Sequence, residues 1–381
     1  MIRRILPVVL TLLALTACTG ITRPALVTAI ERQQLLSGEL IFTGDRHDLA
    51  LPEANVFEMT PAMVAFAEQA AGNARSDERK IHNLLQALMS PDQLGITFDE
   101  SGTRTAREAF ELRKANCLSF TSILVPMLRH LGLDAQFNDV EIPPVWNLEK
   151  EEIMVLYRHI NAIVTWPDQR NPKVVDINMD EYNSHYPQRM VPDWTAEAHY
   201  YSNRSVELLL EGRTEDAFLY LARAIQLDPD VSYFWVNLAA IYRKSGNIKA
   251  AEVAIRQALE VDSAYPVAVS SAERIYRDLG DMDRVAYYEK RSTNFRRRNP
   301  YYHYYVAMEA FLHKDYEAAL GSISQAIQRF PDEHRFHFLK GAIYLSLDRS
   351  DLAEKSLSHA VELASNPGQR DRYRRKIDIM M

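Results

Sequence analysis

Cys117 begins an apolar run in "RKANCLSFTSILVPMLRHLG", residues 113–132, and the chain holds only one other cysteine, Cys18. The reactive form of cysteine is the thiolate, which the positive end of a helix stabilises. Asn116 is a good N-cap, and Phe120, Leu124, Met127 and Leu131 keep helical spacing, so Cys117 is predicted in the first turn of a helix. Arg113 and Lys114 add positive charge just before it. Pro126 predicts a bend after the second turn, away from the thiol. A thiol nucleophile needs a base to take and return its proton, and a third group to orient that base. His159, in "YRHINAIV", lies 42 positions beyond Cys117, and Asp176, in "VVDIN", lies 17 beyond that. If their two strand-like segments pair as an antiparallel hairpin beside the cysteine helix, all three side chains meet. The alternatives are a buried structural thiol, a core histidine, and Asp168 or Asp180 in place of Asp176. His130, at the far end of the helix, points away from the thiol.

The surrounding pattern predicts helices over Met59–Ala71, Asp77–Met89 and Thr105–Lys114, a short extended segment at "LGITFDES", and strands at "HINAIVTW" and "KVVDIN". Helices first and strands after predict an α+β domain over residues 76–192. The order "TRTAREAFELRKANC", "LRHLGLDAQ", "HINAIV", "VVDIN" resembles the transglutaminase-like (papain-like) cysteine fold. That resemblance implies Cys117 as nucleophile, His159 as base and Asp176 as orienting acid. It further implies a cysteine amidase or peptidase working through an acyl-thioenzyme, or an amine-dependent crosslinking transglutaminase, with no cofactor or metal. Asn116, Leu118 and Ser119 depart from the glycine, acidic and aromatic residues that many members carry there, and Ile160-Asn161 from the usual aromatic-acidic pair. The substrate class is therefore open. Trp146 and Trp166 are candidates to wall the cleft or to pack in the core.

Residues 193–381 repeat with a period of 34, in units near 198, 232, 266, 300 and 334. Alanines recur at 217, 251, 319 and 353 and again at 224, 258, 326 and 360, and glycines at 212, 246 and 280. This half resembles the tetratricopeptide repeat (TPR), an all-α solenoid whose concave groove takes a protein or peptide partner. The third unit departs from it, with Val285 and Ser292 in the alanine slots. "PYYHYYV", residues 300–306, either lines the groove or packs between helices. His334 and His337 stand one helical turn apart with no third ligand in view. Pro187–Asp193 is predicted as a hinge.

The chain opens "MIRRILPVVLTLLALTACTG", in which two arginines precede an apolar run too short to span a bilayer. Leu15-Thr16-Ala17-Cys18 resembles the bacterial lipobox, which implies cleavage of a signal peptide, residues 1–17, and acylation of Cys18; an ordinary signal peptide is the alternative. Residues 18–75 are predicted as a tether and helical segment. Thr19 stands where an aspartate signals inner-membrane retention, so the expected location is the cell envelope, at the outer membrane facing the periplasm. The formal net charge of −7 disfavours general nucleic-acid binding. No glycine-rich phosphate loop, GxSxG elbow or CxxC pair occurs. Two function classes follow: a lipid-anchored cysteine hydrolase with recruiting repeats, or an inactive TPR scaffold lipoprotein.

Overall fold

The computed structural model describes residues 25–42, 50–142, 145–147, 153–155, 158–166, 172–177, 182–183, 185–364 and 367–380. Cys18 and the leader lie outside the described residues, as do Asp168 and Asp180.

Short polar caps start the helices of the first half. After α1 (Ala29–Leu36) come α2 (Pro61–Ala71), capped by Thr60, and α3 (Asp77–Met89), capped by Ser76. β1 (Thr97–Phe98) precedes α4 (Ala106–Leu112), which Thr105 and Glu108 start as a reciprocal capping box. The periodicity predicts that α4 runs to Lys114. It ends at Leu112 because Arg113 takes a left-handed conformation, φ 57°, and β2 (Lys114–Ala115) then pairs in parallel with β1. α5 (Cys117–His130) follows at once and continues through Pro126 without interruption. Leu124, Val125 and Met127 around the proline are fully buried, so packing holds the turn that its missing N–H weakens.

β3 (Asp134–Glu141), β6 (Arg158–Thr165), β7 (Lys173–Val175) and β8 (Gln188–Val191) form a four-stranded antiparallel sheet in the order β7-β6-β3-β8, while β4 (Val145–Asn147) and β5 (Ile153–Val155) make a separate hairpin. Alternation along the strands directs Phe137, Ile160, Ala162 and Val164 into one apolar cluster with Phe120, Ile123, Leu124 and Met127 of α5. Each of these side chains larger than alanine stabilises the packing by about 1.5–3 kcal/mol. The segment predicted as a hinge is instead ordered sheet. Val191 is buried opposite Phe137, and Glu141 N–H donates to the Pro187 carbonyl at 2.8 Å.

α6 (Asp193–Leu210) leaves β8 directly and begins before the position 198 that the repeat register gives. Arg129, in the last turn of α5, pairs with Asp193, in the first turn of α6, at 2.6 Å, with each charge facing the helix end that favours it. Helix pairs follow: α7 (Thr214–Leu227) with α6, α8 (Ser232–Lys244) with α9 (Ile248–Val261), α10 (Pro266–Asp278) with α11 (Met282–Arg298), α12 (Pro300–Leu312) with α13 (Tyr316–Arg329), and α14 (His334–Ser346) with α15 (Ser350–Leu363). α16 (Pro367–Met380) covers the last pair. The eight recurrent alanines are all fully buried, which lets the paired helices approach. The first half also packs on this array. Tyr242 donates to the Leu35 carbonyl at 2.6 Å, and Arg256 pairs with Glu31 at 2.9 Å, so α1 is seated on α9.

Gly212, Gly246 and Gly280 turn each pair at φ 83°, 82° and 75°. At the same offset in the next two units stand Lys314 and Asp348, which adopt φ 64° and 56°, a conformation aspartate tolerates better than lysine does. Lys314→Gly is therefore expected to stabilise the fold by about 1 kcal/mol. Urea unfolding checks this; a midpoint that stays put or falls would contradict the argument.

Candidate functional site

Three elements meet where the first turn of α5 approaches the edge of the sheet. Asn116 fixes that turn. Its side-chain oxygen accepts from Ser119 N–H at 2.9 Å, and its amide donates to Thr103 Oγ1 at 3.0 Å. Cys117 follows in the first position, half-buried. The buried Thr121 hydroxyl, one turn on, lies 2.8 Å from the Cys117 carbonyl and 3.0 Å from the Ile160 carbonyl. Ile160 is the neighbour of His159, so one side chain ties the cysteine turn to the histidine strand.

The β6–β7 hairpin forms as the sequence predicts. Ala162 pairs with Val175, which sets Asp176 across from Asn161, and the two-residue alternation puts His159 and Asn161 on the same face. His159 Nε2 and an Asp176 carboxylate oxygen are in direct hydrogen-bond contact, with the residues only 4 % and 5 % exposed. A ligating atom from each of Cys117, His159 and Asp176 lies within 4.8 Å of the other two. With Nε2 engaged by the carboxylate, Nδ1 is the ring nitrogen that can serve the thiol. Sulfur, imidazole and carboxylate also make a donor set of the kind a zinc ion takes.

The carboxylate is held from a second side. Asn161 Nδ2 donates to the same Asp176 oxygen at 3.3 Å, and Asn138 on β3 donates to Asn161 Oδ1 at 2.9 Å and to Gln188 Oε1 on β8 at 3.0 Å. Tyr182 donates to that glutamine oxygen at 3.1 Å, and burial pushes its phenol above the ordinary value. A buried carboxylate is costly unless its lone pairs are satisfied; Asn161 serves one of its oxygens, and the row of amides behind it, across three strands, holds Asn161 in place.

Just beyond Tyr182 the segment meets the fourth and fifth repeat units. Tyr186 and Val140, the latter directly across from His159, share an apolar cluster with Tyr301, Phe336 and Ile343. Arg335 donates to the Tyr186 hydroxyl at 2.6 Å and to Glu333 at 2.8 Å, and Tyr301 donates to Glu333 at 2.9 Å. Burial works to raise the Glu333 carboxyl, but the Arg335 charge, its hydrogen bond, the neighbouring His334 and the Tyr301 hydroxyl together outweigh it and hold the carboxyl below its ordinary value. "PYYHYYV" thus packs partly between helices and partly against the sheet domain.

Among the remaining candidates, His130 is partly exposed and bonded to Glu68 at 2.9 Å. His334 is bonded to the Tyr373 hydroxyl at 2.8 Å and His337 to the Pro331 carbonyl at 2.6 Å. Trp166 packs on the core; the side chain of Trp146 lies outside the described set. Reading the sequence overlooks Thr121, Asn138, Asn161 and Gln188. Asn161, two residues from His159 in "HINAIV", carries the one local signal, a polar residue on the histidine face of an apolar strand.

Residues 208–272 and 307–369 each match a family model described as tetratricopeptide repeat, and the C-terminal half is a TPR solenoid, an architecture for binding protein or peptide partners. No curated protein matches the chain. Similar solved structures include MamA from Desulfovibrio magneticus RS-1, at 15 % identity over 44 % of this chain and 94 % of that one, TM-score 0.26. YrrB, titled a TPR protein with an unusual peptide-binding site, shows 15 % identity over 47 % and 92 %, TM-score 0.25. Pseudomonas aeruginosa pilF shows 13 % over 47 % and 82 %, TM-score 0.27. At TM-scores this low, these likenesses say nothing of function.

Thr121→Val removes the hydroxyl between α5 and β6 at nearly constant volume. It is expected to lower unfolding free energy by about 1–2 kcal/mol while leaving circular dichroism unchanged. Denaturant melts check this, and a stability equal to that of the parent chain would deny Thr121 its linking role.

Proposed function

We propose that residues 76–192 form a transglutaminase-like cysteine amidase or peptidase, anchored in the cell envelope through acylated Cys18 and served by the TPR repeats, which bring polypeptide to it. The convergence of thiol, imidazole and carboxylate from α5, β6 and β7 to within 4.8 Å is the observation that supports this reading most. Cys117 Sγ attacks the carbonyl carbon of an amide as His159 takes the thiol proton. Asp176 holds the imidazole and offsets the positive charge it gains. The oxyanion forms beside the backbone N–H groups at the start of α5, where each aligned donor is worth roughly 3–4 kcal/mol. When the C–N bond breaks, His159 returns the proton to the departing amine and the acyl group stays on sulfur as a thioester. Water then attacks, its proton passing through His159 to the sulfur, and a carboxylic acid leaves; an amine in place of water yields a new amide. Hydrolysis is the outcome favoured here, because water is the acceptor that needs no further binding group.

A second reading makes the chain an adaptor whose cysteine domain has no activity. The deep burial of His159 and the packing of the fourth and fifth repeats beside its strand support it. Thiol reactivity separates the two. Iodoacetamide is expected to alkylate Cys117 below neutral pH, and His159→Ala to slow that reaction about a hundredfold. Equal rates in parent and variant would leave the adaptor. Chelation leaves the alkylation rate unchanged if the three groups act as a proton line; acceleration by chelator would identify a bound metal instead.

Anchoring is tested separately. Cys18→Ser is expected to abolish incorporation of an alkynyl fatty acid and to release the chain from the membrane fraction. Retention of label in that variant would overturn the lipid assignment.

A further inference from the structure

Midway along the repeats lies a cleft of about 800 Å³ framed by α8, α10 and α11, remote in sequence from the cysteine site. Arg243, Arg274, Arg277, Arg291, Arg296 and Arg298 line it, against only three carboxylates, Glu273, Asp278 and Glu289. An excess of three positive charges is thus gathered in one place on a chain whose net charge is −7. Arg243 pairs with Asp278 at 2.6 Å and Arg277 with Glu273 at 2.8 Å, so two of the three carboxylates are already engaged.

Local departures from the repeat build this cleft. α11 has 17 residues where α7, α9, α13 and α15 have 14, and the added turn carries Arg296, Arg297 and Arg298. Ser292 replaces the recurrent alanine, and its hydroxyl, in the wall of the cleft, is buried with no hydrogen-bond partner. A buried polar atom in that state is costly until something bonds to it. The continuous apolar core also divides here, one cluster ending at Tyr288 and the next gathering around Tyr301. Pro266, Val269 and Phe295 supply an apolar wall beside the guanidiniums. A small inorganic anion would leave that wall uncovered.

We infer that this cleft binds an acidic polypeptide segment, with carboxylates on the arginines and an apolar side chain against Pro266, Val269 and Phe295. Guanidinium forks match carboxylates in geometry as well as charge. The inference does not depend on the cysteine chemistry.

Fluorescence anisotropy on the full chain tests it with a labelled peptide of alternating glutamate and leucine. Saturable binding that weakens with added salt is expected, with none for the lysine–leucine counterpart. Arg274 and Arg298 are exposed, so the double variant Arg274→Glu/Arg298→Glu should keep its thermal transition and bind about tenfold more weakly, while Arg274→Lys/Arg298→Lys, which keeps the charge and loses the fork, should fall between that variant and the parent. Cys117→Ala should bind as the parent does. No binding of the glutamate peptide, equal binding of the lysine peptide, or indifference to charge reversal would overturn the proposal. Full displacement by inorganic phosphate would also overturn it, in favour of a small-anion site.

Discussion

A carboxylate sealed inside a sheet is costly unless it is given hydrogen bonds, and that requirement organises the first half of this chain. Asp176 is 5 % exposed and meets His159 on one side and Asn161 on the other. Asn161 in turn needs Asn138, and Asn138 reaches Gln188. The polar row crosses β7, β6, β3 and β8, so the strand order is tied to a single charge. Removing one member strands another, and the cost of an orphaned buried group exceeds the gain of the bond that made it. The opposite face of the same strands, apolar apart from Asp139 beside Ile160, receives α5, which brings Cys117 to the rim.

This division of faces explains how a helix start and a buried histidine come to share a site. The thiol depends on geometry at the first turn, set locally by Asn116. The imidazole depends on long-range pairing, set by the sheet. Thr121 joins the two, because its hydroxyl reaches both the Cys117 and the Ile160 carbonyls.

Local features were legible in the sequence and distant ones were not. Cys117 at a helix start follows from Asn116 and the apolar spacing, and the repeats follow from a period that alanines and glycines mark independently. The β6–β7 pairing could be inferred because His159 and Asp176 sit on strand-like segments separated by a short loop. β3 was hidden because Asn138 and Asp139, 1 % and 2 % exposed, interrupt its apolar alternation. β8 was hidden because Pro187 and Pro192 flank it, a pattern that reads as a hinge although neither proline has to donate a ladder hydrogen bond and Pro187 accepts one from Glu141. Lys314 and Asp348 concealed two turns that glycine marks elsewhere. The docking of Tyr186 on Arg335 joins residues 149 positions apart, and nothing in either neighbourhood announces it.

The repeat array both departs from the sheet, at Asp193 beside Arg129, and returns to it, at Arg335 beside Tyr186. A free solenoid behaves as a spring, lengthening and shortening its pitch as ligands come and go. This one is fastened to the first half where it begins, again at α8 and α9 through Leu35 and Glu31, and again at Arg335, so it is closer to a strung bow. Those fastenings restrict how far its curvature can change, and tension applied to α16 that passes through α15 meets the Tyr186 clasp at Arg335 before it can uncoil the units behind it.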